Sequence, residues 1–155
     1  MNTPESTRMK GTLRLVARNA YGDLLEERTL ENLIVNTGLA WVTGALSGDT
    51  AAPAVMKYVG IGTGTTAAEA TDVALMTPAE SRVSGTQSRQ HTTVDNDTYQ
   101  VVALFTMTAD RAVTEAGLFS ASTSGTLGAR RVFAVMNIPN TGTLQITWQW
   151  QFTAS

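Results

Sequence analysis

The sequence predicts a mainly β protein, an antiparallel β-sandwich or jelly-roll-like barrel with one or two short helices. Three observations carry that prediction. Residues 143–153 alternate without a break, Leu144, Ile146, Trp148, Trp150 and Phe152 against Gln145, Thr147, Gln149 and Gln151, which is the period of a strand with one buried face. Similar short runs recur along the chain between turns rich in Gly, Asn, Asp and Pro. Only residues 36–48 and 66–76 carry helix signals, too few for the crossovers of a parallel sheet.

At 155 residues the chain reads as one domain, long enough to bury a core without metal or disulfide support, and it contains no cysteine. A disulfide framework and a thiolate metal site are thereby excluded. The net charge of -2, with 15% charged residues, gives no basic footprint for nucleic acid and no polybasic membrane patch, so neither is expected as a partner. No apolar run nears the roughly twenty residues that span a bilayer. The opening MNTPESTRMK lacks the apolar core of a signal peptide, and synthesis in the cytoplasm is the expectation. So low a charge density, on a surface built of Thr, Ser, Gln and Gly, suits a face that meets another protein.

Residues 1–9 read as a flexible arm, because Pro4 sits among small polar and charged residues without periodicity, and residues 10–155 read as a single β-rich domain. From Lys10, Leu13, Leu15 and Ala17 oppose Arg14, Val16 and Arg18, which predicts a strand. Residues 19–23 supply turn chemistry, and residues 24–30 return as the second strand of a hairpin, with Glu26, Glu27, Arg28 and Glu31 on a solvated face. Asn36 and Thr37 offer side-chain oxygens to the free amides of a first helical turn, and Gly48 ends that helix, which is expected to plug one end of the sheet.

A strand follows over residues 56–61, then Gly60, Gly62 and Gly64 alternate with Ile61 and Thr63. Residues 62–67, GTGTTA, satisfy a dinucleotide-binding fingerprint formally, but no second βαβ helix follows and there is no G-K-[ST], so no cofactor is expected. The glycines instead permit close packing and a sharp strand exit. Thr66 and Glu69 have capping-box spacing for a second short helix, which Pro78 prevents from continuing. Asp72 and Glu80 read as solvated, since one histidine and scattered acids hold no metal. Residues 81–93 are polar on both faces, an edge strand or extended loop in which His91 has no nucleophile to serve.

Residues 95–97 form a turn, and Tyr99, Val101, Ala103, Phe105 and Met107 then alternate as one face of a long strand. Residues 113–121, with Gly117 at a bulge or close approach, and residues 130–137 are further strands, and residues 139–142 turn into the last. Trp148 and Trp150 read as core packing, with a sugar platform as the other use of aromatic residues in sheets.

Three segments, NLIVNTGLAWVTGAL, YVGIGTGTTAAEATDVALMTPAESR and AVTEAGLFSA, in this order resemble a pattern of small virion structural proteins of tailed bacteriophages, both capsid decoration (cement) proteins and tail-associated proteins. The resemblance covers residues 32–121. It implies a non-enzymatic, β-rich homotrimer on the outer capsid surface of the virion, bound to the major capsid protein and stabilising the shell. A tail fibre, baseplate or tail-tip component is the alternative within virions, and a carbohydrate-binding module the alternative outside them. Candidate partner contacts are Thr3, Pro4, Glu5 and Arg8 of the arm, with Arg82 and Arg89 of the polar edge segment.

Overall fold

The computed structural model describes residues 7–49 and 55–154. They form β1 (Thr7–Arg18), β2 (Leu24–Ile34), α1 (Asn36–Ser47), β3 (Tyr58–Gly62), β4 (Val83–Ser84), β5 (Thr86–Gln90), β6 (Thr98–Thr106), β7 (Arg111–Phe119), β8 (Leu127–Ile138) and β9 (Thr143–Ala154). The nine described strands join one antiparallel sheet in the order β4-β3-β7-β8-β2-β1-β9-β6-β5. This is the mainly β architecture that the alternating runs predict, with one short helix among the described residues. The sheet nearly closes into a barrel because β4 and β5, its two ends, are consecutive in the chain. Gly85 between them donates its N–H to Lys57 O at 2.8 Å, and a Cβ there would lie 2.4 Å from Val101 Cγ1. The chain crosses between the two edges where no side chain fits.

Inside the barrel, rows of apolar side chains run across strands in register. Leu13 of β1 lies beside Trp148 of β9, and Trp148 beside Val101 of β6; Leu15, Ile146 and Ala103 make the next row. All six are buried. Each large side chain so placed contributes about 1.5–3 kcal/mol relative to exposure. The outward residues of β9 are the Gln and Thr of the alternation.

β1 begins at Thr7, ahead of the predicted start at Lys10, because its pairing with β9 continues through Arg8↔Thr153 to Thr7↔Ala154. β2 leaves β1 after Gly11↔Asn32 and turns to β8, pairing there only through Leu33↔Arg130 and Ile34↔Ala129. Along the rest of that seam Arg28 replaces the backbone ladder, its guanidinium donating to Ala134 O and Val135 O.

The first helix forms where expected and ends at Gly48, whose φ of 69° is the left-handed conformation that glycine adopts without strain. Its start differs. Val35 is the N-cap and no side chain caps it, because the Thr37 hydroxyl donates to Leu127 O at 2.7 Å instead. A Cβ at Gly38 would lie 2.0 Å from Gly128 O, so the first turn presses directly on β8. Packing against the sheet outcompetes local capping here.

Candidate functional site

The stretch that carries the resemblance is shaped from beneath. β3 leaves the sheet at Gly62, and the chain folds back over its end: Thr63 N–H donates to Thr77 O at 2.9 Å, and Ala79 N–H to Ile61 O at 3.0 Å. Under this loop lies Glu115 of β7, fully buried. Its Oε1 accepts the N–H groups of Gly64 (3.2 Å) and Thr77 (2.7 Å). Its Oε2 accepts Met76 N–H (3.1 Å) and both Nε and Nη2 of Arg130 (3.0 and 2.8 Å). Arg130 of β8, equally buried, donates onward to Asp72 Oδ2 at 2.7 Å, Thr66 O at 2.9 Å and Ala67 O at 3.4 Å. All five of its N–H groups are thereby used.

This network explains the alternating glycines. A Cβ on Gly62 would meet Thr77 O at 2.4 Å and Glu115 Oε1 at 2.5 Å, and one on Gly64 would meet Oε1 at 2.6 Å. The loop has the character of an anion cradle, and its anion is the protein's own carboxylate. Burial opposes the ionisation of Glu115, but the Thr77 amide, Arg130 and the Met76 amide outweigh it and hold the carboxyl below its ordinary range.

The same network removes the predicted second helix. The carbonyls of Thr66 and Ala67 go to Arg130 and that of Ala70 accepts Asn36 N–H at 2.8 Å, so the acceptors of a helix over residues 66–76 are taken. Glu69 does not reach back to Thr66. Its N–H donates to Asp72 Oδ2 at 2.9 Å while Asp72 N–H donates to Glu69 O at 3.0 Å, a tight turn in place of a capping box. Asp72, expected in solvent, is therefore a buried partner of Arg130. Glu80 departs from the expectation too. Its side chain, 11% exposed, accepts from Arg111 Nε at 2.7 Å and from Thr108. Burial works against its charge, but Arg111 and Thr108 outweigh that and lower its pKa.

Of the candidate partner contacts, Thr3, Pro4 and Glu5 lie outside the described residues. Arg8 is exposed on β1 and lines a cavity of about 410 Å³ with Lys10, Asn32, Leu33 and Leu39. Arg82 is half-buried, its guanidinium 3.4 Å above the Phe119 ring centroid and donating to Ala121 O (2.9 Å) and Ser124 O (2.6 Å). That arrangement fixes the loop after β7 and forms one wall of a separate cavity of about 450 Å³; burial lowers the arginine's pKa. Arg89 is exposed on β5 opposite Tyr99, with no ion pair among the described residues. The three arginines thus do not converge on one site.

His91 is exposed and meets Asp95 at 2.9 Å. Trp148 and Trp150 are 1% and 2% exposed, so neither ring offers a face for a sugar. Among the described residues, no three acidic or histidine side chains gather as metal ligands. Sequence reasoning passed over Glu115 and Arg130. The signal for Glu115 is an isolated charge within an otherwise small and apolar strand, VTEAGLF; Arg130 stands next to Arg131 in LGARRVF, where strand alternation sends one of the two arginines to the buried face. Compared with known proteins, the chain matches no family model, no curated protein and no solved structure.

Proposed function

We propose that the chain is a non-enzymatic virion structural protein of a tailed bacteriophage, a capsid decoration protein that attaches to the outer lattice of the major capsid protein and stabilises the shell. The observation that supports this reading beside the resemblance is the Glu115–Arg130–Asp72 network. Its buried charges are all directed at holding one glycine-rich loop in a fixed shape. A surface of fixed shape suits a partner that presents the same contact many times over, since each copy then binds without an ordering cost. Stabilisation of the shell would be additive, many weak contacts acting together. The test adds the purified protein to expanded capsids lacking it. Binding with a rise in capsid unfolding temperature is the expected result, and failure to bind removes the proposal.

A further inference from the structure

β9 carries no charged side chain along its whole length, Thr143–Ala154, nor does β6, Thr98–Thr106. Registered side by side, they present Gln145, Thr147 and Gln149 beside Leu104, Val102 and Gln100 on the outer face of the barrel. The amides within this face are already ordered: Gln149 Nε2 donates to Gln100 Oε1 at 2.8 Å, and Thr12 Oγ1 donates to Gln149 Oε1 at 3.4 Å. Charges stand only at its borders: on β1, Arg14 pairs with Glu27 at 2.6 Å and Lys10 with Glu31 at 2.8 Å, Arg18 lies beside Thr143 at one end, and at the other Asp97 accepts from Gln151 Nε2 at 3.3 Å. The outcome is a sheet face without charge at its centre and with two apolar side chains among the amides, the exposed Leu104 and the half-buried Val102.

We propose that this face binds a second copy of itself across a two-fold axis passing close to Gln149. Such an axis sets each patch against its own image. Any uncompensated charge there would meet its like, whereas a Gln side chain carries both donor and acceptor and can bond to its own image. An uncharged amide and hydroxyl surface is therefore the polar surface that is complementary to itself. Depletion of charge at the centre is also what distinguishes interface cores from ordinary surface. Four strands at ~4.8 Å spacing and seven residues at ~3.4 Å give a face of roughly 450 Å² in projection. That is below the ~800 Å² per partner of a standard interface, so the contact belongs among small and weak ones. The inference is independent of the capsid reading, and the two-fold pair replaces the three-fold ring that the resemblance implies.

The experiment is sedimentation equilibrium of the full chain at tens to hundreds of micromolar, without capsids. Wild type is expected to approach the mass of two chains. Gln149→Glu and Gln149→Lys, each alone, are expected to weaken association at least tenfold, because each sets like charges together. Mixing the two variants is expected to restore pairing, which a folding defect in either could not do. Unchanged far-ultraviolet circular dichroism of each variant checks the fold directly. A monomeric or three-chain wild type, association indifferent to residue 149, or no recovery on mixing each overturns the proposal. So does a monomer that needs Gln149 only for capsid attachment, since the face would then serve another protein.

Discussion

Replacing Glu115 with Gln would leave the volume of the side chain unchanged and remove one acceptor oxygen and the charge. The carboxylate now satisfies five N–H groups, two at Oε1 and three at Oε2. A glutamine has one oxygen, and placing it toward Arg130 and Met76 turns its NH2 group against the amides of Gly64 and Thr77. Two donors then lose their acceptor, the buried Gly64 amide and the part-buried Thr77 amide, at about 1–3 kcal/mol each with Thr77 at the low end. Arg130 meanwhile keeps only Asp72 as a charged partner. Breaking a buried pair by removing one member costs about 3–5 kcal/mol, which agrees with that sum. For a domain of this length the loss corresponds to roughly 6–20 °C in Tm at ~2–4 °C per kcal/mol. Urea denaturation followed by tryptophan fluorescence measures it, and hydrogen exchange places it. Amides of residues 63–77 should lose protection before those of β9. A cost below about 1 kcal/mol, or exchange that rises uniformly over the barrel, would refute the claim that Glu115 holds the loop.

Three further outcomes are expected. Gly64→Ala puts a methyl 2.6 Å from the Glu115 carboxylate and 2.8 Å from Met76 Cβ, and should cost about 1–3 kcal/mol as overpacking, read as a shift in urea midpoint without a change in slope. Glu115, Glu80 and Asp97 all have folded-state pKa values below the ordinary range; at Asp97 burial opposes this but the Thr93 and Val94 amides, the Thr98 hydroxyl and the Thr92 amide prevail. The stability they confer is complete above the unfolded carboxyl pKa of ~4 and is lost as pH falls through the lower folded values, so the urea midpoint should hold steady from about pH 5 to 7 and drop below about pH 4. A midpoint unchanged down to pH 2.5 would contradict this. Arg28→Ala should cost on the order of 1–3 kcal/mol and raise hydrogen exchange along the edge of β8 facing β2, because the guanidinium covers the Ala134 and Val135 carbonyls there.

The parts of the fold legible in the sequence are those set by local periodicity. The alternation of Leu144, Ile146, Trp148 and Trp150 is the alternation of burial, and Gly48 ends α1 as its position implies. The β1–β2 turn also follows from its residues: Asn19 Oδ1 accepts the N–H groups of Tyr21 and Asp23, and Gly22 has a φ of 84°. What was not legible depends on residues distant in the chain. The Thr66–Glu69 spacing predicts a helix only so long as its carbonyls have no better partner, and Arg130 supplies one from more than sixty residues away. Asp72 and Glu80 looked solvated because nothing near them in the sequence announces Arg130 or Arg111. In the glycine-rich loop the alternating glycines do permit close packing, and the group that packs against them, Glu115, lies on a strand whose sequence gives no spacing signal toward the loop.

The place of β1 bears on how the chain is made. β1 lies between β2 and β9, and its whole length from Thr7 to Arg18 pairs with the last described strand. While the polypeptide emerges from the ribosome, the β1–β2 hairpin can form early, but one edge of β1 has no neighbour until β9 arrives. At ~5–20 residues per second that delay is about 6–25 s. Throughout it Leu13 and Leu15 lack Trp148 and Ile146. Closure of the barrel therefore waits for the synthesis of β9, and a nascent chain stalled before Thr143 would display a bare, apolar strand edge to whatever chaperone stands nearest.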